Sequence, residues 1–254
     1  MCVINYQGNS EIDNNEIYSI AAAIELFVLS LDIIDDIQDN DSENIWMEKP
    51  EQSLNISLFL INKCQSIYLN SSFLHKQKAL EILNIYFTKT IQGQQLDLEN
   101  NALTEKEIIH ILEEKSGSLV SLSCLIGKVL RDGKAEEYYK QYSNALGVIQ
   151  QINNDISSLY NNDKKNDFLN GKINLPILYI FNRYSFFSLH LLKKYQTENL
   201  ALIPYTNKVE FFENTFALQY CEIIKHSFQK IAIKGVDTTN LLPHYKQYIK
   251  KFLC

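Results

Sequence analysis

The sequence predicts an all-α fold, and three observations carry that prediction. Glycine and proline are scarce, eight and four in 254 residues. Apolar residues recur at the three-to-four-residue step of a helix rather than in the alternation of a strand. The polar interruptions, at 40–50, 161–173 and 201–207, are each too short to link domains, so residues 1–254 read as a single domain. With 46% hydrophobic residues the chain can bury a large core.

Taken in order, the periodicity predicts helices over 11–39, 51–70, 72–99, 105–131, 135–161, 174–195, 208–232 and 241–252. The first is an apolar run that ends in a cluster of aspartates. The fourth opens on a capping box, Thr104 with Glu107, ahead of IIHIL. For the last, Asn240 is the expected N-cap and Pro243 falls in the first turn, where a missing N–H is tolerated.

Composition narrows the function classes. Net charge is −6, the only arginines are Arg131 and Arg183, and no basic run occurs, so nucleic acid is not an expected partner. Five cysteines without a CxxC pair, behind a polar N-terminus with no secretory leader, suit reduced thiols in a cytoplasm. No transmembrane segment is expected. Glu25 and Asp32 interrupt the run Ile24–Ile34, and Asn182, Arg183 and His190 interrupt Ile177–Leu192. The histidines show no metal-ligand spacing.

The chemistry lies in two polar clusters. In SLDIIDDIQDND, Asp35 and Asp39 stand four apart, as do Asp32 and Asp36, so each pair projects from one helix face about 6 Å apart along the axis. Like charges near a helix C-terminus are disfavoured by each other and by the macrodipole unless a cation or a solvated end relieves them. Mg²⁺ is such a cation: it takes carboxylate oxygens and completes its shell with water and substrate phosphate. An acidic helix end dissolving into a polar loop is the alternative. In GVIQQINNDISSLYNND, the oxygen-bearing residues Asn154, Ser158 and Asn162 follow at four-residue steps with Asp155 beside them. They are candidate metal ligands or a solvated face. Lys115 and Lys172 are the candidate cations for a diphosphate bridged by Mg²⁺.

The order of these motifs resembles the trans-isoprenyl diphosphate synthase superfamily from about Asn14 to Leu178. Asp35, Asp36 and Asp39 stand at the positions of its first aspartate-rich motif, DDxxD. GQQLDL, Gly93 to Leu98, is similar to its Gly-Gln segment, and KSGSL, Lys115 to Leu119, to its Lys-Thr-Gly segment. GVIQQINNDISS falls at the second aspartate-rich motif, and DFLNGKINLP follows where the family has Asp-Leu-x-x-Gly-Lys-x-Thr-Leu-Pro. The resemblance implies a helical bundle around a deep cavity, with Mg²⁺ held by Asp35, Asp39, Asn154, Asp155 and Ser158. It implies catalytic Asp35, Asp36 and Asp39, substrate contacts from Lys115, Lys172, Gln94 and Gln151, and a homodimer.

The departures from the pattern bear on the acceptor. Chain-elongating relatives grip a second diphosphate with arginines near the start and after the first motif, and here no arginine precedes Arg131. The second motif carries Asn154 and Ser158 where the family has aspartates. One allylic diphosphate and a different acceptor are therefore implied. The resemblance is greatest to ComQ-type pheromone-modifying prenyltransferases, which transfer geranyl or farnesyl to a tryptophan of a small precursor peptide. A terpene synthase, or a non-catalytic partner subunit, is the alternative. Trp46, in NIWMEKP, is a candidate to stack on a prenyl chain or an acceptor indole, or else to cap the core. Ser30 and Leu31, one turn below Asp35, and Phe27, about 12 Å below it, are expected to bound the tail pocket.

Overall fold

The computed structural model describes residues 1–8, 14–39, 44–160, 171–183 and 214–253, and all its regular structure over them is helical. Numbered over those residues, the helices are α1 (Cys2–Gln7), α2 (Glu16–Gln38), α3 (Pro50–Asn70), α4 (Lys76–Glu99), α5 (Glu105–Leu112), α6 (Ser118–Asp132), α7 (Glu137–Tyr160), α8 (Leu175–Arg183), α9 (Ala217–Thr238) and α10 (Pro243–Lys250). A 3₁₀ turn, Ile45–Glu48, precedes α3, and a π turn, Glu113–Gly117, joins α5 to α6.

The apolar stripes bury themselves in three connected cores. Ile17, Ile20, Ile24 and Phe27 of α2 meet Cys64 and Tyr68 of α3, Leu83 of α4 and Leu122 and Ile126 of α6. Ile149 and Ile152 of α7 meet Leu112, Leu175, Leu178 and Cys221 from α5, α8 and α9. Leu125, Tyr139, Tyr142, Val236 and Ile249 join α6, α7, α9 and α10. Each such side chain, fully buried, contributes about 1.5–3 kcal/mol relative to exposure. Helices α6 and α7 take part in more than one core and so form the spine against which the others are fixed.

Several boundaries differ from the periodicity. Residues 2–7 form a separate short helix, which a six-residue pattern cannot announce and which holds by burying Cys2 and Tyr6 beside α6. The expected helix over 105–131 is interrupted at EEKSG by the π turn. The capping box at Thr104 and Glu107 is present. Asn240 is not the cap of α10: Leu242 occupies that position, and Asn240 accepts a hydrogen bond from the Tyr139 hydroxyl at 3.0 Å. The expected stretches 184–195 and 208–213, with Asn162 and the first four residues of DFLNGKINLP, lie outside the described residues.

By length and composition α2 could cross a membrane. Part of its apolar surface is spent on the core, with Ile17, Ile20 and Phe27 wholly buried, and its acidic end lines a cavity. Cys2, Cys64, Cys124 and Cys221 are free, buried thiols.

Candidate active site

A cavity of about 900 Å³ opens among α2, α5, α6 and α7. Its apolar wall includes Val28, Ile108, Ile111, Leu112, Leu119 and Val120, and its polar rim is made by Asp32, Asp35, Asp36, Asp39, Asp97, Lys115, Gln151, Asp155, Ser158 and Lys172. Two sequence features bring Lys115 here. The π turn widens the chain at Glu113–Gly117, a distortion common at functional sites. Gly93 permits close approach, because a Cβ there would lie 2.4 Å from the Lys115 backbone nitrogen.

One side of the rim is a ladder of charge. Lys115 Nζ contacts Asp35 Oδ1 at 3.0 Å and Asp97 Oδ2 at 2.8 Å. Lys172 Nζ contacts Asp97 Oδ2 at 2.9 Å and Asp39 Oδ2 at 3.3 Å. Burial works against the charge of Lys115, but Asp97 and Asp35 overcome it and hold the ammonium above its ordinary value. Burial likewise pushes against ionised Asp97, and the two lysines overcome it and hold that carboxyl low. Asp32 and Asp39 are raised, first by burial; Asp35 and Asp36 add to the rise at Asp32, and Asp35 adds to it at Asp39 despite Lys172.

The other side carries one carboxylate, Asp155, among amides and hydroxyls. Ser116 Oγ donates to Gln151 Oε1 at 2.7 Å, and Gln151 Nε2 donates to Asp155 Oδ1 at 2.9 Å. Ser158 Oγ donates to the Asp155 carbonyl at 2.8 Å, while Asn154 is exposed on the cavity wall.

The structure thus brings Asp35, Asp36, Asp39, Lys115, Gln151, Asn154, Asp155, Ser158 and Lys172 to one cavity. It takes five expected contacts elsewhere. Phe27 is fully buried edge-on to Phe87 at 5.0 Å, Ser30 is buried with its hydroxyl on the Phe27 carbonyl, and Leu31 packs on the same core. Helical phase explains Phe27 and Ser30: at about 100° per residue, Val28, seven before Asp35, shares its face, whereas Phe27 lies roughly 80° and Ser30 roughly 140° round; Leu31, only about 40° from Asp35, is turned to the core by packing. Val28 is accordingly the apolar residue that α2 adds to the cavity wall. Trp46 is off the cavity, its indole N–H donating to Asp36 Oδ2 at 2.9 Å beside Asn44 Nδ2 at 2.7 Å. Gln94 donates to Gln38 Oε1 at 3.0 Å rather than lining the cavity.

Two residues were not singled out by the sequence. Asp97 bridges both lysines, and Asn100 binds the segment that carries Lys172. An acid in the last turn of α4 is disfavoured by the helix dipole, the same signal that marked Asp35–Asp39, and it would have pointed to Asp97.

The donor set suits Mg²⁺. Among the described residues no three acidic, histidine or cysteine side chains converge to enclose an ion. Mg²⁺ does not need them to, since one or two carboxylates plus substrate phosphate and water complete its shell. Acidic groups outnumber the lysines around the cavity, and Asp32 and Asp39 ionise against resistance, a charge excess that a divalent cation relieves.

A helical bundle enclosing an apolar cavity rimmed by aspartates and lysines defines the isoprenoid-synthase class. Solved structures of that fold superpose closely. Polyprenyl synthetase from Streptomyces coelicolor A3(2) matches with TM-score 0.84, at 17% identity over 99% of this chain and 82% of its own. Polyprenyl synthase from Caulobacter crescentus CB15, complexed with calcium and isoprenyl diphosphate, matches with TM-score 0.81, at 18% identity over 99% and 81%. The polyprenyl synthetase family model matches residues 1–202, and the chain belongs to that family. The tryptophan prenyltransferase ComQ of Bacillus subtilis subsp. natto is 32% identical over 233 residues, 88% of this chain and 73% of that protein. A short chain isoprenyl diphosphate synthase of Methanocaldococcus jannaschii is 28% identical over 176 residues, 65% of this chain and 54% of its own. The chain is a prenyltransferase.

Proposed function

We propose that this prenyltransferase uses Mg²⁺ to ionise geranyl or farnesyl diphosphate and transfers the prenyl group to a tryptophan of a small precursor peptide. The observation that carries the reading is the ladder Asp35–Lys115–Asp97–Lys172–Asp39 at the rim of an apolar-walled cavity. Asp35 and Asp39 would hold Mg²⁺, with Asp155 contributing from the opposite wall. The ion, when bound, supplies charge stabilisation to the departing diphosphate.

Lys115 and Lys172 meet the charge that grows on that diphosphate as the allylic C1–O bond breaks and its electrons leave with oxygen. The wall of Val28, Leu112, Leu119 and Val120 shelters the hydrocarbon chain and keeps water from the cation. An indole carbon attacks C1, and the proton it loses passes to the released diphosphate. Likeness to tryptophan prenyltransferases over 88% of the chain supports the indole acceptor. Neither arginine lines the cavity: Arg131 lies over the Tyr6 ring, and Arg183 ends α8. That placement supports one diphosphate site rather than two.

Incubation with Mg²⁺ and geranyl or farnesyl diphosphate, with and without a tryptophan-bearing peptide, followed by mass analysis, tests the reading. A prenylated peptide is expected. A hydrocarbon formed without peptide would replace it with a cyclase, and a longer diphosphate made from isopentenyl diphosphate would restore the second diphosphate site. Light scattering is expected to report a homodimer.

A further inference from the structure

The segment carrying Lys172 is held to the end of α4 by one amide side chain. Asn100 Nδ2 donates to the Gly171 carbonyl at 2.8 Å, and Asn100 Oδ1 accepts from the Ile173 N–H at 2.8 Å. The two bonds bracket Lys172 on both sides of its backbone. Three residues earlier on the same helix end, Asp97 takes the Lys172 ammonium at 2.9 Å. The end of α4 therefore grips the backbone and the head group of one lysine at once.

The local conformation is specific to this purpose. Asn100 adopts φ 50°, in the left-handed region, while its backbone N–H turns back to the Asp97 carbonyl at 3.2 Å. Gly171 has φ 72°, also left-handed. Asparagine is among the few residues with a side chain that enter this region readily, and its amide offers a donor and an acceptor together. Glycine would satisfy the backbone equally well but could not make the clamp. A terminus that needed only a turn has no use for the amide.

We infer that Asn100 is a positioning residue: it fixes the backbone of Lys172 so that the ammonium stands at the cavity rim between Asp97 and Asp39, preorganised for a diphosphate. The inference rests on the reading that this rim takes a diphosphate. A lysine side chain otherwise loses much rotational freedom on engaging an anion, and a fixed backbone reduces what must be ordered.

The test uses the full chain and Mg²⁺ with inorganic pyrophosphate, followed by calorimetry and by the ligand-induced rise in melting temperature. Asn100→Gly keeps the left-handed backbone and removes both clamp bonds. It is expected to weaken pyrophosphate binding roughly tenfold, about 1.4 kcal/mol, with little change in the ligand-free melting temperature. Asn100→Asp keeps the acceptor for Ile173 and loses the donor to Gly171, so its binding is expected to fall between Asn100→Gly and the unaltered protein. It also carries the test if the glycine variant does not fold. In a Lys172→Ala background Asn100→Gly is expected to add nothing further, because it acts through that lysine.

Unchanged binding in Asn100→Gly beside weakened binding in Lys172→Ala would overturn the clamp alone. Additive losses in the double variant would also overturn it, by showing a role independent of Lys172. Unchanged binding in Lys172→Ala would remove the diphosphate reading of the rim and the clamp with it.

Discussion

The two walls of the cavity carry the same kinds of side chain under different loads. On the α2 and α4 side, Asp35, Asp39 and Asp97 share two lysines through contacts of 2.8–3.3 Å. On the α7 side, Asp155 takes an amide hydrogen from Gln151, and Ser158 returns its proton to its own helix backbone. The first wall is an arrangement of ion pairs poised to exchange partners, and the second holds one carboxylate, Asp155, engaged through Oδ1 by an amide. The difference teaches where an incoming diphosphate changes most: displacing an ion pair releases a lysine and a carboxylate together, whereas displacing the Gln151 amide releases a carboxylate but no lysine.

The largest expected effect breaks the charged wall. Asp35→Asn or Asp39→Asn should lower prenyl transfer about a hundredfold to a thousandfold in single-turnover assays, with helicity unchanged by circular dichroism. The matching change on the other wall, Asp155→Asn, should cost about tenfold, and a loss as deep as that of Asp35→Asn would show both walls equally loaded.

Next comes the bridge. Asp97→Ala leaves two half-buried ammonium groups facing one another without their shared carboxylate, and should destabilise the fold by about 1–3 kcal/mol in denaturant titrations. Gly93→Ala tests the approach beneath it: the new methyl would meet the Lys115 backbone, and overpacking of this kind costs about 1–3 kcal/mol.

The pH dependence separates the carboxylates within the charged wall. Asp97 is held below its ordinary 3.8, so it contributes stability that is present above that value and lost as pH falls through the folded-state value. Asp97→Asn should therefore melt lower than the unaltered protein at neutral pH, with the gap closing below 3.8. Asp32 is raised, so its ionisation opposes folding once pH exceeds that range. Asp32→Asn should melt slightly higher at neutral pH, a small gain because the side chain stands at the cavity rim, where its neighbours bury it only in part and solvent still reaches it. The smallest effect is expected of Ser158→Ala, within roughly twofold to threefold in transfer rate, since its hydroxyl is engaged with the helix backbone.

Much of this was legible in the chain. Period and the scarcity of breakers gave the helices, the Thr104–Glu107 box marked a start, and charge repulsion at Asp32–Asp39 marked the rim. Phe27 and Ser30 leave the cavity because distance along a helix says nothing of rotation about it, and Leu31, close to the face of Asp35, is drawn to the core by its neighbours. For Trp46 the sequence leaves open a binding aromatic or a cap on the core, and only the folded turn reveals its N–H on Asp36. Asp97 is hard to pick out because its acidic neighbour in GQQLDLEN, Glu99, stands two residues on and faces away on the helix, and its partners lie 18 and 75 positions away in sequence.

What the sequence by itself determined was the set of amphipathic helices and the ordered aspartate, lysine and glycine motifs, since both follow from periodicity and spacing within short stretches. What only the tertiary structure decided was which of those groups share a partner. Asp97 joins Lys115 to Lys172, and Asn100 fastens Gly171 and Ile173, because packing α4 against the π turn and the 171–174 segment brings together groups that no local spacing relates.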